Sequence, residues 1–251
     1  MADGSKAGRK SDLYSAFVDD LLLAALLIPM GYLMGSLPMG VIVARLTGGT
    51  DPRTVGSGRT GGTNMLRAGG WGRAIAVAAL DLSKGALPIL IAGWLDAPIE
   101  IRALAGTAAV FGSWKSIFLG FHGGRGVATG VGGMIAIAPW IIPIALPIFI
   151  AIIWITRYVS LASILGTLIG ALIVVAFMIA GWIDPAWLWY VIPGEAIVWI
   201  AHRDNIGRLL NGTERKFQSG DRSPESTDEP PPAATEPTDH AAEAEDEASP
   251  P

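Results

Sequence analysis

Leu161-Ala-Ser-Ile-Leu-Gly-Thr-Leu-Ile-Gly-Ala-Leu-Ile-Val-Val-Ala-Phe-Met-Ile-Ala-Gly-Trp-Ile183 contains no Asp, Glu, Lys or Arg. About 20 apolar residues are what a helix needs to cross the hydrocarbon core of a bilayer. A helix also bonds its own backbone polar groups, which lipid cannot do, so this stretch reads as a membrane span. Working outward, apolar stretches recur at residues 21–46, 72–95, 98–118, 126–140, 141–156 and 187–201. The expectation is an all-α polytopic membrane protein with about seven transmembrane helices. Residues 126–156 are long for one helix and short for two, and Pro139, Pro143 and Pro147 mark either a turn or kinks there.

Composition agrees: 51% of the 251 residues are hydrophobic and only 16% charged, with a mean hydropathy of +0.46, too apolar for an ordinary soluble domain. The net charge of −4 is set by the C-terminal end, where residues 218–251 hold ten of the 22 carboxylates against one base, Arg222. The rest has 17 basic and 12 acidic residues, a sign suited to anionic lipid and phosphorylated substrates rather than to nucleic acid. Residues 218–251, rich in Pro, Glu, Ala and Ser, have almost nothing to bury and are expected to form a disordered acidic tail. Residues 1–12 are expected to be a disordered extension, leaving 13–217 as the transmembrane domain. The absence of cysteine excludes disulfides and a thiolate nucleophile. Lys6, Arg9 and Lys10 precede the first apolar stretch without a cleavage site after it, so that stretch is read as a retained helix.

With seven crossings, loops 47–71, 115–125 and 157–160 fall on one side with everything after His202, and they carry most of the basic residues. By the positive-inside rule that side is cytoplasmic and the N terminus lies outside, against the smaller opposing charge of Lys6, Arg9 and Lys10.

Three of these polar segments carry chemistry. The first, Asp51-Pro-Arg-Thr-Val-Gly-Ser-Gly-Arg-Thr-Gly-Gly-Thr-Asn-Met-Leu-Arg67, combines glycines, hydroxyls and guanidinium groups. Gly56, Gly58 and Gly61 let backbone amides turn toward an anion, Ser57, Thr63 and Asn64 add neutral donors, and Arg67 adds a forked cation suited to phosphate. The second, Phe118-Leu-Gly-Phe-His-Gly-Gly-Arg-Gly-Val-Ala-Thr129, opens into an apolar helix, so Gly123, Gly124 and Gly126 with Arg125 would form an anion site at a helix N terminus. Gly130, Gly132 and Gly133 fit close helix packing equally well. The third begins at His202, either a general base on a hydroxyl or a group that orients a substrate phosphate. Inside the membrane, Asp81 and Lys84 stand three apart and form a structural ion pair. Glu195 has no partner evident in sequence and must be protonated, paired or facing water.

Taken together, Val55-Gly-Ser-Gly-x-x-Gly-x-Thr-Asn64, Asp81-Leu-Ser-Lys-Gly85, Gly120-Phe-x-Gly-Gly-Arg-Gly-Val-Ala-Thr129, Arg157-Tyr-Val-Ser-Leu-Ala-Ser163 and His202-Arg-Asp-Asn-Ile-x-Arg-Leu-Leu-x-Gly-Thr-Glu214 resemble the bacterial membrane acyl-phosphate:glycerol-3-phosphate acyltransferases. The resemblance spans residues 32–217. It implies transfer of a fatty acyl group from acyl phosphate to the 1-hydroxyl of glycerol 3-phosphate, giving lysophosphatidic acid and phosphate, the first acylation of phospholipid synthesis. It places the site on the cytoplasmic face of the bacterial inner membrane and on Ser57, Asn64, Arg67, Arg125, Ser160, His202 and Asn205. This chain departs from the pattern at Arg59 (usually asparagine), Gly62 (alanine), Ser113 (histidine), Ser116 (proline) and Arg125 (lysine). Nothing in the sequence calls for a metal or cofactor. The competing expectations are a transporter for a phosphorylated solute and a catalytically weak member of the same family. Protein partners are not indicated.

Overall fold

The computed structural model describes residues 3–217, with side chains from Ser15 onward. The tail from 218, expected to be disordered, lies outside the described residues. Among the described residues the chain is helical without strands: α1 (Asp3–Ser36), α2 (Met39–Leu46), α3 (Gly62–Trp94), α4 (Ile99–Trp114), α5 (Val127–Ile137), α6 (Ile142–Thr156), α7 (Val159–Ile179), α8 (Leu188–Ala201) and α9 (Arg203–Leu210). Residues 3–12 were expected to lie outside the domain as an unstructured extension; instead they continue α1 as helix. Nothing between them and the apolar run breaks a helix, because the first proline is Pro29.

All seven apolar stretches fall on helices, but among the described residues only four helical segments are long and apolar enough to cross a membrane by themselves: Ser15–Ser36, Gly62–Trp94, Pro139–Thr156 and Val159–Ile179. Helices α4, α5 and α8, with 16, 11 and 14 residues, are shorter. Residues 126–156 resolve into two helices, with Pro139 in a tight turn (Pro139–Ile141), Pro143 in the first turn of α6 and Pro147 inside it.

The first span is broken. Pro38 lacks an amide and disfavours helix at the residue before it, so α1 stops and α2 restarts beyond the proline. The carbonyls freed at the break are taken by side chains from α3 and from the loop after α4. Lys84 Nζ donates to the Leu37 carbonyl at 3.0 Å and Ser116 Oγ to the Ser36 carbonyl at 2.6 Å. Lys84 also meets Asp81 Oδ1 at 2.8 Å, with both side chains almost wholly buried. The pair thus secures a helix break as well as neutralising two charges.

Glycine sets how closely the helices approach. Gly31 and Gly35 of α1 lie against the backbone of Ala105 and Ala109 of α4, the most extensive helix pair in the molecule. Gly85 of α3 abuts the Thr129 carbonyl, and Gly132 of α5 abuts the Leu82 carbonyl, the small-residue packing that membrane helices use. Gly133 faces the Tyr190 ring, whereas a β-carbon at Gly130 would stand in open space, the Gly130 carbonyl accepting from Tyr190 OH at 2.6 Å. A Gly85→Ala protein should lose about 1–3 kcal/mol, since the added methyl meets backbone that cannot step aside. Its thermal midpoint in detergent should fall, and an unchanged midpoint would refute the close α3–α5 crossing.

Among the described residues Glu195 forms no ion pair with a cation. Thr167 Oγ1 donates to it at 3.1 Å and Trp199 Nε1 at 2.6 Å, beside an apolar surface groove of about 560 Å³ between α7 and α8.

Candidate active site

The first polar segment is organised around one buried amide. Asn64 Nδ2 contacts the carbonyls of Pro52 (2.5 Å), Val55 (3.1 Å) and Arg59 (2.8 Å), while its Oδ1 accepts from the Ser57 amide at 3.1 Å. Gly56 has a φ of 55°, and a β-carbon there would strike Asn64 Oδ1 and crowd the Arg67 side chain, so both space and conformation demand glycine. Sequence reasoning placed Thr63, Asn64 and Arg67 in a loop that binds phosphate through its amides. Instead, residues 62–69 form a short helical segment that is kinked from the rest of α3 at Gly70, whose φ is 76°. Asn64 is spent on holding the loop, and the amides of Ser57 and Gly58 are bonded internally to Asn64 Oδ1 and the Val55 carbonyl. The Ser57 and Thr63 residues are exposed. Gly61, the residue that starts this helical segment, accepts from the amides of Asn64 and Met65 at 3.0 Å.

An Asn64→Ala protein is expected to loosen residues 52–59, losing about 2 kcal/mol of local stability as these backbone groups lose their partner. Trypsin should then cut after Arg53 or Arg59 faster than in the parent protein; equal cutting rates would argue against the pinning role.

The second segment also differs from expectation. The Gly123 amide donates to the Trp114 carbonyl at 3.0 Å and that of Gly124 to the Ser113 carbonyl at 2.8 Å. These two amides are therefore not available to an anion; buried backbone donors are rarely left unpaired, and here the end of α4 supplies acceptors. The pairing brings the chain back to Gly126, whose φ of 78° starts α5. What this loop presents is Arg125. Its Nε is buried without a hydrogen-bond partner, and burial, then the nearby Arg59 charge, lowers its pKa to about 10, which still leaves it cationic at neutral pH.

The third segment supplies the rest. His202 is almost wholly buried, with Nδ1 2.8 Å from the Val198 carbonyl. A carbonyl can only accept, so Nδ1 carries the proton and Nε2 presents a lone pair. Burial first, then repulsion from Arg125 and Arg59, outweighs the Val198 bond and lowers the imidazole pKa to about 4. Asn205 Nδ2 and Arg208 Nε both donate to Glu214, at 2.6 and 2.7 Å. Burial opposes the Glu214 charge, yet these donors and the adjacent Ser160 hold its pKa below the usual value. Ser160 Oγ and Asn205 Oδ1 remain buried without a well-formed hydrogen bond. The Phe217 amide donates to the Arg157 carbonyl at 2.6 Å, drawing the segment after α9 over the α6–α7 turn and Glu214 to Ser160.

The structure thus brings Arg125, Ser160, His202 and Asn205 into one neighbourhood. It adds Arg59, Arg208 and Glu214, which sequence reasoning did not include; the last two stand inside the quoted third motif, the signal that would have found them. Arg59 NH1 donates to the Gly123 carbonyl at 3.2 Å, tying the first segment to the second. Arg67 lies beside Gly56 on the α3 turn, part-buried.

Residues 25–212 match the family model described as glycerol-3-phosphate acyltransferase. The chain belongs to the glycerol-3-phosphate acyltransferase family. Among the acyltransferases it resembles, that of Rubrobacter xylanophilus is 42% identical over 206 residues, covering 80% of this chain and 98% of the relative. One from an Anaeromyxobacter species is 37% identical, covering 80% and 100%. Among solved structures, the glycerol 3-phosphate form of the integral membrane acyltransferase PlsY (YgiH) superposes with a TM-score of 0.69 at 37% identity, over 78% of this chain and 96% of that one. Its lysophosphatidic acid form gives 0.68 at 34% identity, over 78% and 95%. In this acyltransferase one departure from the family pattern has a side-chain role in the fold, since Ser116 bonds the break in the first span; Ser113 holds Gly124 only through its backbone carbonyl, which any residue there would offer.

Proposed function

We propose that this acyltransferase moves a fatty acyl group from acyl phosphate to the 1-hydroxyl of glycerol 3-phosphate. The observation that carries the reading is the convergence of Arg125 Nε and Asn205 Oδ1, buried and unbonded, with Ser160 beside Glu214, around a neutral His202. Buried donors and acceptors without partners are costly, and a phosphorylated, hydroxylated substrate satisfies them.

Acyl phosphate is already activated, so the protein must chiefly hold two anions together, orient the hydroxyl and stabilise the developing oxyanion. His202 Nε2 accepts the hydrogen of the attacking hydroxyl. The hydroxyl oxygen bonds to the acyl carbon, the bond from that carbon to the phosphate oxygen breaks, and the proton passes through His202 to the departing phosphate. Arg125 neutralises phosphate charge. Ser57, which has no His–Asp relay beside it in sequence, serves as a hydroxyl donor rather than a nucleophile, and Thr63 and Arg67 extend the phosphate-binding face.

The polar segments face the cytoplasm of the bacterial inner membrane, with the N terminus outside and about seven crossings. A reporter fused after Phe217 should then read cytoplasmic and one near Asp184 external.

The activity test supplies purified protein with labelled glycerol 3-phosphate and either acyl phosphate, acyl-CoA or acyl carrier protein. Lysophosphatidic acid from acyl phosphate alone supports the reading. Product only from a thioester donor would reassign the donor, and no product from folded protein would reject the activity.

A further inference from the structure

We infer that Arg59 binds substrate: with Arg125 it forms a two-guanidinium clamp across the seam between the first and second polar segments, and the clamp takes a phosphate monoester dianion. This rests on the acyltransferase function proposed above.

Arg59 follows the Gly58 turn, and its NH1 bond to the Gly123 carbonyl at 3.2 Å fixes the guanidinium two residues along the chain from Arg125. A guanidinium carries five N–H donors, and this contact uses one of them. Arg53 and Arg208, by contrast, are each paired with a carboxylate, Asp51 and Glu214. Among the described residues neither Arg59 nor Arg125 has a carboxylate within ion-pair distance, yet they are close enough to repel each other and to disfavour protonation of His202 between the same loops.

Holding two like charges together in a partly desolvated site costs free energy unless an anion joins them. A phosphate monoester at neutral pH carries about −1.5 to −2, which matches two guanidiniums, and its oxygens suit their forked geometry. The link to Gly123 by itself needs only a neutral donor, so the charge of Arg59 is not explained by joining the loops. The phosphate belongs either to glycerol 3-phosphate or to the acyl phosphate, two sources of the same chemistry.

The test is calorimetric titration of the full-length protein in detergent, with glycerol 3-phosphate and, separately, a non-transferable acyl phosphonate. The parent is compared with Arg59→Gln, which keeps a donor for Gly123 but loses the charge, and with Arg59→Lys. The clamp predicts that Arg59→Gln weakens one probe about tenfold or more, with Arg59→Lys intermediate and the ligand-free thermal midpoint of Arg59→Gln equal to or above the parent's. The probe that weakens identifies the phosphate. Equal affinities of the parent and Arg59→Gln for both probes overturn the clamp, and a lowered ligand-free midpoint with unchanged affinities overturns it in favour of a loop tie. In either case the proposed function stands if the parent turns over substrate. A parent protein that neither binds the probes nor turns over substrate overturns both.

Discussion

Arg125→Ala should lower kcat/KM by about 100- to 1,000-fold, the usual cost of removing a preorganised group that meets developing charge. The ligand-free protein should not suffer equally. Arg125 is held with a buried, unbonded Nε and beside a second guanidinium, so truncation removes desolvation and repulsion along with function. Its ligand-free thermal midpoint should match or exceed the parent's, while the rise produced by saturating glycerol 3-phosphate should shrink, because ligand stabilisation follows affinity. A protein that loses activity and ligand-free stability together would make Arg125 a structural residue.

His202→Ala should cost about 100- to 10,000-fold in turnover, the range for a positioned acid or base. The pH dependence separates the proposed proton acceptor from a phosphate donor. A donor would need the protonated imidazole, which burial and the two arginines oppose; an acceptor needs the neutral form, dominant well above a pKa of about 4. The kcat/KM of the parent, expressed per substrate dianion, should therefore stay level down to about pH 5 instead of falling through the ordinary histidine range. A fall near pH 6.5 would contradict the neutral assignment.

The same depression fixes a stability trend. The folded-state pKa lies below the unfolded value of 6.5, so the contribution of neutral His202 is fully present above pH 6.5 and is lost as pH falls toward 4. His202→Gln should lose less stability than the parent across that window, as the thermal midpoint in detergent would report.

Much of the candidate site was legible because its motifs are local. Arg125, Ser160, His202 and Asn205 sit in short polar segments between apolar runs, and residue types suited to phosphate stand out against lipid-facing sequence. What misled was the use of the backbone. A glycine-rich segment reads as a row of amides open to an anion, but Gly123 and Gly124 donate to the end of α4, and the Ser57 and Gly58 amides close on their own loop. Similarly, Asn64 reads as a donor to substrate, whereas the fold surrounds it with the carbonyls of Pro52, Val55 and Arg59. Arg59 itself reads as a departure from a pattern, and only its bond to Gly123 gives it a place.

The amino-acid order alone determined an all-helical membrane protein, because runs of apolar residues have no other way to satisfy their backbones in lipid, and it marked the polar segments that carry the chemistry. Only the tertiary structure decided which polar groups were consumed in building the loops and which remained for substrate. That division depends on partners far apart in the chain, such as Lys84 with Leu37, Gly124 with Ser113 and Phe217 with Arg157. A donor's availability is set by the acceptors folding brings to it, which neither composition nor spacing along the chain records.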